Sequence, residues 1–275
     1  MKLRKIATAL TLVGAATFGV GAHAVPMITN LDGTLSPFGG FDWASGAAAW
    51  TSGYQGAPGT NFTLNYAGWA VSVNDIASGT LFTPRLDTNA NGIPAAAGTY
   101  EYTIFAQLTE TVTSCNGDFS VCTFNVTGGT FDIYYDINAN AKQSNGTGFL
   151  DGVKIISGTV NADPVGNVFS NATGGQATLS GLVTYTNLTY IDPVLVGSTL
   201  TSTLQLASAV TNFSVPTGFD FDNNGTSDSL GTPGVIVFQA DANQTFSSTV
   251  PEPGSLALVG LSLAGFAFVR RRKSI

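Results

Sequence analysis

Histidine occurs once in these 275 residues, cysteine twice and methionine twice. The histidine, His23, lies in an N-terminal segment marked for removal, so the body of the chain has none. That excludes Ser-His-Asp and Cys-His catalysis, and with them histidine-ligated zinc, copper and non-haem iron. Cations are nearly as scarce. Between Val25 and Thr249 they are Arg85, Lys142 and Lys154, against sixteen carboxylates, a net charge of −13. Nucleic acid is excluded as a partner, because phosphate binding needs clustered Lys and Arg. Convincing amphipathic helices are missing from the body as well. What is abundant is Asn, Thr, Ser and Gly on an acidic chain of low charge density. Such a surface suits an extracellular matrix and attracts divalent cations.

Long apolar runs are confined to the two ends. Lys2, Arg4 and Lys5 precede an apolar stretch from Ile6 to Val20, and Ala22-His23-Ala24 follows as an A-x-A site. This pattern predicts a secretory signal peptide over residues 1–24, with Ala22 and Ala24 marking cleavage and the mature chain starting at Val25. At the other end, Gly254 to Val269 is uncharged and mostly apolar, and Arg270, Arg271, Arg272 and Lys273 close it. As a helix this stretch is about 24 Å long, and the four cations snorkel to complete a span of about 30 Å. They belong on the cytoplasmic side, which leaves the body outside the inner membrane. Just upstream, Val250-Pro251-Glu252-Pro253 holds the chain extended and blocks helix entry, a geometry that suits proteolytic processing.

The three-part tail of VPEP, apolar span and RRRK resembles the PEP-CTERM sorting signal of Gram-negative bacteria. That resemblance covers residues 250–275. It implies that Pro251, Glu252 and Pro253 form the processing motif for exosortase, an integral-membrane cysteine transpeptidase. It speaks of sorting and is silent on what the body does.

The body, residues 25–249, reads as all-β. In "GTYEYTIFAQLTETVTS", Tyr100, Tyr102, Ile104, Ala106 and Leu108 point one way, with Glu101, Thr103, Gln107 and Thr109 opposite. "NFTLNYAGWAVSVN", "FLDGVKIISGTV", "ATLSGLVTYTNLTYI", "LVGSTLTSTLQLASAVTNF" and "GVIVFQA" supply further strands, and "FNVTGGTFDIYYDIN" reads as a hairpin through Gly128-Gly129. Many strands with Gly and Asn turns predict an antiparallel β-sandwich with a jelly-roll arrangement as one form of it. Cys115 and Cys122 flank a short turn. In an exported chain the simplest reading of the pair is a disulfide, worth about 2.5 kcal/mol, and a pair of metal-binding or catalytic thiols is the alternative.

Chemistry concentrates in "DFDNNGTSD". Asp220, Asp222 and Asn224 alternate before Gly225, the opening of a calcium loop, and Asp228 stands at loop position nine. Position twelve is Gly231 instead of a bidentate glutamate, so the choice is between a weakened calcium site and an Asx-rich turn. "DTNANG" repeats the opening at Asp87, Asn89, Asn91 and Gly92 with one carboxylate, and "DINANA" at Asp136 lacks the glycine. Phe38, Phe41, Trp43 and Trp50 form either buried caps on the fold or an exposed platform for sugar rings. This stretch, with "FDIYYD" and "GTGFLDG", resembles the flocculation-associated PEP-CTERM proteins. The resemblance implies a role in cell aggregation within an exopolysaccharide matrix.

These readings predict an exported, non-catalytic protein, held transiently at the inner membrane, processed by exosortase and delivered to the cell surface or matrix. Exopolysaccharide or the cell-envelope matrix is its expected partner, with Ca2+ as the possible cofactor. A calcium-assisted carbohydrate-binding module is the alternative. A polysaccharide hydrolase is a third reading. Its weakness is that Glu101 and Glu110, the body's glutamates, are nine residues apart and fall on opposite faces of a regular strand.

Overall fold

A computed structural model describes residues 26–29, 35–75, 79–80, 83, 85–117, 121–143, 146–170, 174–206 and 236–247. Its strands are β1 (Met27–Thr29), β2 (Leu35–Pro37), β3 (Gly40–Trp43), β4 (Ala47–Ser52), β5 (Asn61–Asp75), β6 (Gly79–Thr80), β7 (Glu101–Cys115), β8 (Val121–Asp136), β9 (Val153–Val160), β10 (Asp163–Ser170), β11 (Gly174–Thr186), β12 (Ile191–Asp192), β13 (Thr199–Leu206) and β14 (Val237–Ser247). All of them lie in one compact unit, Val25–Ser248. The described residues contain no helix, and so none long and apolar enough to cross a membrane. The predicted signal peptide with Ala22 and Ala24 lies outside the described residues. So do the tail with Pro251, Glu252, Pro253 and Arg270 to Lys273, and the loop with Asp220, Asp222, Asn224 and Asp228.

The all-β expectation holds, but the sandwich gives way to one closed sheet. β5 pairs with β7, β7 with β8, β11 with β13 and β13 with β14, all antiparallel. β3 and β4 share a single position, each pairing with β5 on one side and β14 on the other. β9 and β10 share another, between β8 and β11. The outcome is a barrel-like ring of eight strand positions in simple chain order, closed by the short strands β3 and β4 against the last strand, β14. No Greek-key crossing occurs in this order, so the jelly-roll form is corrected too. Alternation of inward and outward residues is the same in a sandwich and a barrel. Closure rests on pairs such as Gly40 with Thr245 and Ala47 with Ala240, which join opposite ends of the body and leave no local trace.

Gly128-Gly129 is not a turn. Both residues lie inside β8, paired with Thr109 and Leu108, beside a bulge that sets Val126 against Glu110. A side chain at Gly129 would come within 2.4 Å of the Gln107 carbonyl oxygen, so glycine here serves close strand approach.

The interior is packed. Ile104, Leu108 and Phe131 are at most 2 % exposed. A cavity of about 30 Å³ remains inside, lined by Tyr66, Leu108, Phe131, Leu200, Ser202 and Gln244 among others. Ligand pockets run to roughly 300–1,000 Å³. A space this small suits a water or two, within reach of the buried Tyr66 Oη and Gln244 Oε1, which have no protein partner.

Connections leave from both ends of the barrel. At one, β7 meets β8 through a short hairpin and β4 turns into β5. At the other, the longer segments 76–100, 137–152 and 187–198 emerge. There β1 pairs with β2 and β12 in a small antiparallel sheet. Ile28 and Ile191 of this sheet are fully buried, and the Tyr190 ring beside it stacks on Tyr135 at 5.0 Å.

Candidate functional sites

At the short-hairpin end, Cys115 and Cys122 are partners across β7 and β8 and form a disulfide. Bonded sulfurs are neither metal ligands nor nucleophiles, which removes the thiol alternative. Tyr54 Oη lies 3.1 Å from the Cys122 sulfur, and its ring packs edge-on against Phe62 and Phe124. Disulfide and aromatic cluster thus lie together at the β7–β8 hairpin.

Glu110 sits just inside. It shares the inner face of β7 with Leu108, directly across from Phe62 on β5 and Val126 on β8. Its carboxylate is buried among apolar side chains, and desolvation pushes its pKa up to about 7. Glu101 occupies the opposite, outer face of β7, covered by the segment 137–152. Its Oε1 accepts hydrogen bonds from the Asn140 and Ala141 N–H groups, both at 2.9 Å. Burial raises its pKa to about 7. The two hydrogen bonds oppose that rise, and the negative charges of Asp136 and Asp87 add to it. The two glutamates are therefore separated by the barrel wall, as their spacing predicted, and do not form a facing acid–base pair.

"DTNANG" is a hydrogen-bonded turn. Asp87 is buried, its Oδ1 accepts from the Asn89 N–H at 3.1 Å and its Oδ2 from the Ala95 N–H at 3.0 Å. Asn91 Oδ1 accepts from the Ile93 N–H at 2.8 Å. With both carboxylate oxygens held by amides, the turn reading prevails over a metal cage here. Trp69 anchors the same loop through its Nε1–H to the Thr88 carbonyl, 2.9 Å.

"DINANA" is arranged differently. Asp136 Oδ1 accepts from the Asn138 N–H at 2.8 Å, while its buried Oδ2 has no hydrogen-bond partner. Burial raises the Asp136 pKa, and the adjacent Asp151 carboxylate raises it further. Asn140 Nδ2 donates to Asp151 Oδ2 at 3.1 Å. Asn140 is the fifth residue of this motif, whereas Asp151 carries no motif spacing, so nothing local in the sequence pointed to Asp151. Among the described residues, no three His, Cys, Asp or Glu side chains converge as a metal-binding set.

Phe38, Phe41, Trp43 and Trp50 are all buried, between 0 and 7 % exposed. Phe41 packs on Phe38, Trp43 and Tyr102 with centroids 4.9–5.1 Å apart. They are caps and core, and the exposed sugar platform is corrected.

Residues 249–273 match the PEP-CTERM protein-sorting motif. No curated protein and no solved structure matches the chain.

Proposed function

With a PEP-CTERM sorting motif at its tail as the premise, we propose that this chain is an exported protein processed by exosortase, and that its working part is a non-catalytic β-barrel of the cell surface or exopolysaccharide matrix, supporting cell aggregation. The match over residues 249–273 carries the sorting part of this reading. The histidine-free, strongly acidic body supports the non-catalytic part. So does the separation of Glu101 from Glu110 by the barrel wall. Burial of Phe38, Phe41, Trp43 and Trp50 counts against a carbohydrate-binding module built on those rings.

Mass analysis of the mature C-terminus, with and without the processing transpeptidase, tests the sorting step. The expected result is truncation near Pro251-Glu252-Pro253 only when the enzyme is present. An intact tail in both strains overturns it. Deletion of the gene tests the aggregation role, and unchanged aggregation of the deletion strain counts against it.

A further inference from the structure

Where β7 begins and β8 ends, the segment 137–152 folds over a group of carboxylates that no cation neutralises. Glu101 and Asp136 are direct cross-strand partners, so two acids face each other on the outer surface of the sheet. Such a pair is destabilising unless compensated. Glu101 is compensated by two backbone N–H groups, and Asp87 nearby by two more. Asp136 is eased by the Asn138 N–H on Oδ1 and by the Ile137 N–H, against the adjacent Asp151 carboxylate. The Asp136 side chain is 5 % exposed, and Oδ2 is buried with no hydrogen-bond donor.

Asp151 stands against it. A side chain built at the adjoining Gly152 would lie 3.1 Å from Asp136 Cβ, which measures how closely the two strand ends approach. Asn140 joins the group through Nδ2 to Asp151 Oδ2, and its Oδ1 is also buried without a donor. A half-turn of this amide exchanges its oxygen and nitrogen and offers the oxygen to the same place. The ion pair described nearby is Lys154 with Asp132, at 2.8 Å. Arg85 and Lys142, the remaining cations of the body, make no ion pair with Asp87, Glu101, Asp136 or Asp151.

Two abutting carboxylates need either a shared proton or a shared cation between them. We propose that Asp136, Asp151 and the side-chain carbonyl of Asn140 bind a divalent cation of the calcium type. The donors are all oxygen and come from a strand end and an irregular loop, a set that suits calcium with its flexible coordination number. Magnesium demands near-octahedral geometry and zinc prefers nitrogen and sulfur. Two carboxylates and an amide, completed by backbone carbonyls and water, match the weak class of extracellular sites, with dissociation constants on the order of 0.1–1 mM. The site stands independently of the barrel's role and of the Asp220–Asp228 loop.

The test uses the full-length protein, stripped with chelator and titrated with CaCl2 at pH 7.5 by calorimetry and thermal denaturation. Calcium binds in the sub-millimolar to millimolar range and raises the Tm, and MgCl2 at the same concentration raises it less. Asp151→Asn weakens binding at least tenfold. Asp151 is exposed, so this variant folds, as an unchanged circular dichroism spectrum verifies. Asn140→Ala gives a comparable loss. A double variant, Asp220→Asn with Asp222→Asn, retains the response. A calcium response that survives Asp151→Asn in the background of that double variant overturns the proposal. So does a calcium-insensitive wild type, and in that case Asp151→Asn exceeding the wild type in stability at pH 7.5 but not at pH 5 identifies a shared proton instead.

Discussion

Glu110 stands directly across from Phe62 on the inner face of the barrel wall, a carboxylate facing an aromatic ring. Burial raises its pKa from 4.5 to about 7 in the folded chain. The folded state therefore holds this proton more tightly than the unfolded state does. The stabilising contribution is complete below about pH 4.5 and is lost as the pH rises through 7. Its size is on the order of 3 kcal/mol. Glu110→Gln keeps the shape and abolishes the titration. The expected result is a Tm above that of the wild type at pH 8, with little difference at pH 4.5. Identical Tm profiles for the two proteins from pH 4.5 to 8 would show that the carboxylate is solvated in solution.

The Cys115–Cys122 bond closes a loop with a sequence separation of 7. Replacing both residues with serine removes about 2.5 kcal/mol of chain-entropy stabilisation. The Tyr54 hydroxyl also loses its sulfur neighbour. Reduction with dithiothreitol lowers the Tm of the wild type and leaves that of the double serine variant where it was. If reduction has no effect on the wild type, the hairpin is held without the disulfide by its β7–β8 ladder and by the Thr113–Thr123 and Ser114–Thr123 hydroxyl contacts, at 2.6 and 2.7 Å.

Much of this fold was legible in single strands, and little of it in how they close. On β7, the side chains of Tyr102, Ile104 and Leu108 are buried, as their alternation predicts. Glu101 and Thr103 have the parity of an outer face and do lie there, yet they are buried as well. The segment 137–152 covers them, and Thr103 Oγ1 donates to the Phe149 carbonyl at 2.7 Å. A period of two reports the face of a strand and not what a distant loop lays upon it. Gly128-Gly129 misled for a related reason. Two glycines signal a turn as strongly as a bulge, and the neighbouring strand alone decides between them. At the acidic end, Asp87 was readable because its turn is local. Asp136 and Asn140 share a local motif, but Asp151 joins them only when the loop folds back.

Gly158 measures how tightly the wall is packed. A side chain there would meet the Phe131 ring at 2.3 Å and the Leu182 carbonyl oxygen at 2.4 Å. The second contact is backbone and cannot swing aside. Gly158→Ala is expected to cost at least about 2 kcal/mol through overpacking. Gly117 is the control, since nothing lies within 4 Å of its missing side chain. Gly117→Ala stays within about 0.5 kcal/mol of the wild type. Denaturant titration of the two variants checks the contrast, and equal stabilities would mean that β9 and β11 separate more readily than their pairing indicates.

The three tryptophans of the chain are Trp43, Trp50 and Trp69, at 1, 7 and 8 % exposure. Trp43 stacks on Phe41 in the core, Trp50 lies against Phe105, and Trp69 is pinned by its bond to the Thr88 carbonyl. An indole so placed has no face free to stack on a sugar ring. Intrinsic fluorescence is therefore expected at the short-wavelength end of the tryptophan range, weakly quenched by acrylamide and unchanged by the matrix polysaccharide. Adhesion of this protein to such a polymer would then run through the hydroxyl and amide side chains outside the barrel, or through calcium shared between acidic groups. A polysaccharide-induced shift in emission, saturating with polymer concentration, would instead mean that one of these rings opens to solvent, and the carbohydrate-binding reading would regain the aromatic contact that the folded barrel takes from it.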